Sequence, residues 1–266
     1  MLKTKAFTMA EVLVSLTIIG VIASLTIPAV MYNTTKKTNQ ALLKKALVKL
    51  DTVVEMAYTE SEFQPFNCFY WENGSPTGCK SIPQYDENDK IIGWKNENCQ
   101  EGENPNGKFA NCQNLYNYIK NNLKTVKTCD NNAFINGCAP DYKGIDSVYE
   151  EKNPPPDDNA TEEEKKTWET NKSNAIVGCS GWTYENMKKK PAIVTSDGMI
   201  FIPYAVGTPI FAIDVNGKKE PNRFGYDVFF LMLRGTDETI PGFTTGGCDY
   251  YEKGGVSTST MLNGIF

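Results

Sequence analysis

Four side chains carrying oxygen ligands fall close together near the C-terminal end: Asp214, Asn216, Asn222 and Asp227, in DVNGKKEPNRFGYD. Hard oxygen donors of this kind suit calcium. Their spacing matches no standard calcium loop, and Asp214-x-Asn216-Gly217 reads more simply as a turn. Sulfur is the second chemistry on offer. The cysteines are Cys68, Cys79, Cys99, Cys112, Cys129, Cys138, Cys179 and Cys248, and none forms a C-x-x-C pair, which argues against zinc-knuckle and thioredoxin readings. All lie beyond the N-terminal apolar stretch and their number is even, so disulfides formed outside the cytoplasm are expected, against the alternative of free buried thiols. Proximity along the chain suggests neighbour pairing of the first six, and Cys179 with Cys248. The chain has no histidine, which removes Ser-His and Cys-His catalysis, histidine-metal ligation and the usual general base near pH 7. An enzyme would then need a carboxylate pair or a Lys/Ser base. Asp197, Asp214 and Asp227 show no spacing that singles out such a pair, so catalysis is not expected.

The remaining unusual residue is Glu11. It stands at the start of a stretch in which Val12 to Val30 carry no charge, 19 residues in all. As a helix that is enough to cross ~30 Å of hydrocarbon. A carboxylate costs about 2.5–3.5 kcal/mol at the centre of such a helix and less near its end. Lys3 and Lys5 precede it, which predicts a cytoplasmic N-terminus. The following TIPAVMYNTTKK has no clear A-x-A site, and the apolar core is long for a cleaved signal peptide. The full 266 residues allow one large domain or two small ones, and the net charge of -5 disfavours general nucleic-acid binding.

The segment KAFTMAEVLVSLTIIGVIASLTIP closely resembles the N-terminus of type IV pilins and of the pseudopilins of type II secretion systems. In that family a short basic leader precedes a small residue and a Phe, a Glu follows four residues later, and a Pro lies well inside the apolar helix. The resemblance implies cleavage between Ala6 and Phe7 by a prepilin peptidase and N-methylation of the new Phe7 amine. The residue before the cut is usually Gly in the family; Ala6 is also small. The resemblance further implies that Glu11 of one subunit meets the Phe7 amine of a neighbour, a pairing that is favourable only when matched and so acts as a register device. Pro28 marks the place where the helix is expected to kink or loosen. DVNGKKEPNRFGYDVF is similar to the C-terminal region of many pseudopilin-like proteins, and calcium in a C-terminal loop has precedent among major pseudopilins. The implied partners are the prepilin peptidase, an assembly platform and sister subunits. The implied location is the inner membrane, single-pass, with the head outside. The alternative is a membrane-tethered extracytoplasmic binding protein that never polymerises.

These residues need positioning elements. Leu43, Leu47, Leu50, Val54 and Ala57 recur at spacings of four and three, one stripe of an amphipathic helix. A single helix from about Phe7 to Tyr58 would be roughly 75–80 Å long, with Asn33-Thr34-Thr35 its weakest point. Leu115 to Val126 suggests a short helix with Leu115, Ile119 and Leu123 in one row. AIVT-SDG-MIFIPY and FAIDV-NGKKEPNRFG-YDVFFLMLR read as two hairpins, because Asp-Gly and Asn-Gly suit tight turns at positive φ. Tyr226 to Leu233 is apolar on both faces and is expected to be a central, doubly covered strand. The resulting fold class is α+β: a leader 1–6, a membrane or filament-core helix 7–31, an amphipathic continuation 32–61, a Cys-rich loop insertion 62–190, and a C-terminal antiparallel sheet and tail 191–266. Within the insertion, Tyr149 to Thr170 reads as an exposed loop or short helix. With the helix packed on the sheet this would be a pilin-like roll.

Overall fold

A computed structural model describes residues 8–60, 68–71, 79–99, 108–109, 112–205, 210–235 and 242–264. Helix α1 runs from Met9 to Glu60 without interruption, through Pro28 and through Asn33-Thr34-Thr35. Its 52 residues correspond to about 78 Å. The first part is apolar on every side and is not buried by any other described residues: Leu13, Leu16, Ile19, Ile22 and Leu25 are all exposed. Its few hydroxyls are satisfied locally. Ser15, Thr17, Ser24 and Thr26 each donate to a carbonyl three or four residues earlier at 2.8–2.9 Å, so none needs water. This helix is long and apolar enough to cross a membrane.

From Asn39 onward α1 has one buried face. Leu43, Leu50, Val54 and Ala57 are buried as the stripe predicts, Leu47 is partly buried, and Ala46 and Val53 widen the contact. The covering surface is an antiparallel meander. Strands β5 (Thr125–Cys129), β6 (Ala192–Thr195), β7 (Ile200–Pro203), β8 (Ile210–Asp214) and β9 (Val228–Gly235) pair in sequence order. β10 (Gly242–Thr245) adds antiparallel to β9. β9 is central and buried on both faces, as its composition predicts. Phe229, Leu231 and Leu233 face the α1 core together with Phe211, Ile213 and Val215. Val228, Phe230 and Met232 face a second core with Ala212, Tyr142, Trp182 and Met187. The molecule is therefore layered, with α1 on one side of the sheet and the chain between Cys129 and Met187 on the other.

Polar ties complement the apolar face of α1. Asn39 Nδ2 donates to the Tyr226 carbonyl at 2.9 Å and Gln40 Nε2 to the Leu262 carbonyl at 3.3 Å. Lys49 Nζ donates to Asp197 at 2.7 Å, and Asp51 accepts from the Phe243 N–H at 2.6 Å.

The segment 62–190 differs from a loop insertion. β1 (Cys68–Trp71) pairs parallel with β9 and antiparallel with β4 (Lys108–Phe109), so that together with β5 the segment contributes three strands to the main sheet. These strands are short or lie at the sheet margin, where one-sided burial leaves no clear alternation to read. β2 (Lys80–Tyr85) and β3 (Ile91–Glu97) form a separate hairpin. Helix α2 (Cys112–Asn122) buries Leu115 and Ile119, and Leu123 just beyond it, in the row predicted; the expected helix stops earlier, because Thr125 onward is strand β5. The stretch from Tyr149 to Thr170 holds the end of α3 (Ile145–Lys152) and most of α4 (Glu162–Ile176).

Among the described residues the disulfides are Cys79–Cys99, Cys129–Cys138 and Cys179–Cys248. The last two follow the expected pairing. Cys79–Cys99 overturns neighbour pairing of Cys68 with Cys79 and of Cys99 with Cys112. The β2–β3 hairpin folds back on itself and brings its two flanking cysteines to a Cα separation of 4.4 Å, closer than any linear neighbour rule anticipates. The side chains of Cys68 and Cys112 lie outside the described residues. Disulfides in this part of the chain suggest an extracytoplasmic head.

Candidate functional site

Two regions hold the residues singled out above. At the N-terminus, Ala6 and Phe7 lie outside the described residues. Glu11 is described, and it is engaged within its own chain. Thr8 is the residue before the first turn of α1. Its N–H and its hydroxyl both donate to Glu11 Oε2 at 2.8 Å, and the Glu11 N–H donates back to Thr8 Oγ1 at 3.3 Å. This is a reciprocal capping box, which satisfies helix N–H groups that have no partner inside the helix. A carboxylate near a helix N-terminus also meets the positive end of the helix dipole. Glu11 thus has a local role as well as any intermolecular one. Of Pro28 only the helical backbone is described.

The second region is the turn between β8 and β9. Asp214 and Asp227 are fully buried. Asp214 Oδ2 accepts from the Tyr142 hydroxyl at 2.7 Å, and Oδ1 accepts from the Asn216 N–H at 3.2 Å. Asp227 Oδ1 accepts from the Arg223 N–H at 2.7 Å. Its Oδ2 accepts from the Asn222 N–H at 2.9 Å and from Asn216 Nδ2 at 3.2 Å. Gly217 and Asn222 take positive φ, as a tight reversal requires. Burial pushes the Asp214 carboxyl up to about 8; the Tyr142 hydrogen bond opposes that rise and the neighbouring Asp227 charge adds to it. Burial also raises Asp227, against the N–H donors of Arg223 and Asn222.

The four predicted oxygen donors thus meet, but in the service of the turn. Every carboxylate oxygen of Asp214 and Asp227 already accepts a hydrogen bond from the chain, and Asn222 takes part through its backbone. Of these four side chains, Asn216 alone keeps a buried oxygen, Oδ1, without a hydrogen-bond partner. Among the described residues no group of three or more Asp, Glu, Cys or His side chains is placed to hold a metal ion. The donor set fits a hydrogen-bonded reversal rather than a calcium cage, which needs six to eight oxygens turned toward one point.

Around this turn the structure adds residues that sequence reasoning missed. Tyr142 reaches Asp214 from 72 positions away, a distance no local pattern reports. Glu252, almost fully buried, receives Arg223 Nε at 2.9 Å and Lys143 Nζ at 3.3 Å and so ties the turn to the tail. Asp197, in the β6–β7 turn, is contacted by Lys45 at 2.8 Å and Lys49 at 2.7 Å. Burial alone would raise Asp197, but hydrogen bonds from Lys45, Lys49 and Thr195 hold it well below the usual carboxylate range. Lys190 lies between the rings of Trp182 and Tyr204, at 4.6 and 4.8 Å from their centroids, and donates to the Tyr204 carbonyl. Burial lowers its ammonium to about 8.

No protein-family model, no curated protein and no solved structure matches the chain.

Proposed function

We propose that this chain is a pilin-like or pseudopilin subunit whose activity is assembly rather than catalysis. The observation that supports this best is the ordered N-terminal series. A basic leader precedes Ala6-Phe7, Glu11 follows at the mouth of an otherwise uncharged stretch of helix, and that helix continues unbroken into an amphipathic part seated on a sheet. The proposed sequence of events begins with insertion, N-terminus inside and disulfide-bonded head outside. A prepilin peptidase then removes residues 1–6, Phe7 is N-methylated, and helices bundle in a type IV pilus or a secretion pseudopilus. On joining the bundle, Glu11 exchanges its Thr8 cap for the amine of a neighbouring Phe7. A mismatched partner leaves a charge unpaired among apolar helices, which penalises wrong registers.

Peptide mass spectrometry of the N-terminus, on protein purified from host membranes that contain the peptidase, tests this. A chain beginning at N-methyl-Phe7 is the expected result. A chain still beginning at Met1 overturns it. In that case a tethered binding protein that does not polymerise is the better account, and Glu11→Leu should then be tolerated.

A further inference from the structure

We propose that the cleft between α1 and the 221–226 turn receives the anionic headgroup of a membrane lipid, so that the head leans on the bilayer surface. This rests on reading the apolar part of α1 as a membrane span. Three observations point to it. The first is height. The apolar stretch ends near Met31, and Tyr32, Thr35 and Lys36 follow at about 1.5, 6 and 7.5 Å along the axis. The polar headgroup layer on one side of a bilayer is roughly 5–8 Å thick, so these three residues occupy it. Across the cleft from them stand Pro221, Gly225 and Tyr226. The Asn39–Tyr226 hydrogen bond, one turn further along α1, holds the turn against the helix.

The second observation is chemistry. The lining carries one cation, Lys36, and no carboxylate. The Lys36 ammonium lies 5.7 Å from the Tyr32 ring centroid, and Lys37 beside it is exposed. Tyrosine and lysine together at the end of an apolar helix are the usual residents of the membrane interface, where a ring sits among headgroups and a long side chain reaches phosphate. The Tyr226 hydroxyl already donates to the Lys253 carbonyl at 2.9 Å, and the Arg223 guanidinium lies over its ring, 4.6 Å from the centroid. The third observation is size. The cleft holds about 40 Å³, far below the roughly 300–1,000 Å³ of a small-molecule pocket, and suits one small polar group entering from the side.

The test uses the full chain in lipid nanodiscs, of phosphatidylcholine alone or with phosphatidylglycerol, read by hydrogen–deuterium exchange of the peptide covering 218–228. Each basic residue at an anionic surface changes docking about fivefold. Exchange in the anionic discs is therefore expected to be at least about fivefold slower than in neutral ones. A Lys36→Gln, Lys37→Gln double variant should remove the difference. Equal rates in both discs, with the chain still retained in them, overturn the headgroup contact and leave the span standing. Failure of the chain to stay with the discs overturns both. Slowing that follows the number of chains per disc, irrespective of lipid charge, overturns the proposal in favour of a second copy as the occupant.

Discussion

Asp214 and Asp197 respond to pH in opposite senses. A carboxyl whose folded value is raised holds a proton that the unfolded chain has lost. The stability linked to Asp214 is therefore fully present below about pH 4 and declines as pH rises toward about 8. Asp197 is depressed, so its contribution is present above about pH 4 and is lost as pH falls through its lower folded value. Between pH 4 and 8 the first effect dominates, and its full size is on the order of 2–4 kcal/mol. Asp214→Asn keeps the shape but sets an amide against N–H donors, costing about 1 kcal/mol at pH 5. Urea unfolding from pH 4 to 9 should give a flatter slope for this variant, with the two curves crossing before pH 9. Parallel curves would mean that Asp214 is ionised throughout. At this scale the sequence shows the turn, because Asp, Asn and Gly have local conformational preferences. It does not show Tyr142 or Glu252, because the burial that makes them partners arises only when distant segments stack.

At the scale of elements, a buried apolar stripe holds the head to its helix. Leu50 is fully buried in the α1 core, while Val48, two positions away, is largely exposed. Leu50→Ala should cost about 2–5 kcal/mol, and Val48→Ala should fall within about 0.5 kcal/mol of the parent, both by denaturant unfolding. Comparable effects at the two positions would show that the face is wrongly assigned. The legible elements are those with strong local signals. β6 to β9 are bounded by Asp-Gly and Asn-Gly, and α1 and α2 carry apolar rows. α4 has no buried residue and hence no row. Its N-terminus is set by a capping box of Thr161 and Glu164, with bonds of 2.8 and 3.2 Å. β1 and β4 are four and two residues long. They pair with each other across about 40 positions, and β1 pairs with β9 across more than 160, both beyond the reach of any local window.

At the scale of the whole molecule, the chain divides by solvent rather than by fold. The apolar part of α1 contributes nothing to either core, whereas the part from Asn39 onward is integral to one of them. A variant beginning near residue 32 should be water-soluble and melt within about 3 °C of the detergent-solubilised parent by circular dichroism. One beginning near residue 52 should fail to fold, because Leu43, Ala46 and Leu50 go with it. A soluble, cooperative product from the shorter variant would mean that α1 is not part of the core. The continuity of α1 has one more effect. Because the helix is continuous, the direction of Glu11 about its axis is tied to the direction of the head. At about 100° per residue, Glu11 comes round to within roughly 40° of Leu43, on the side where the sheet sits. Under the proposed assembly, turning the buried end would swing the outer mass by the same angle, and the place where Glu11 meets a neighbour would set which way each head faces.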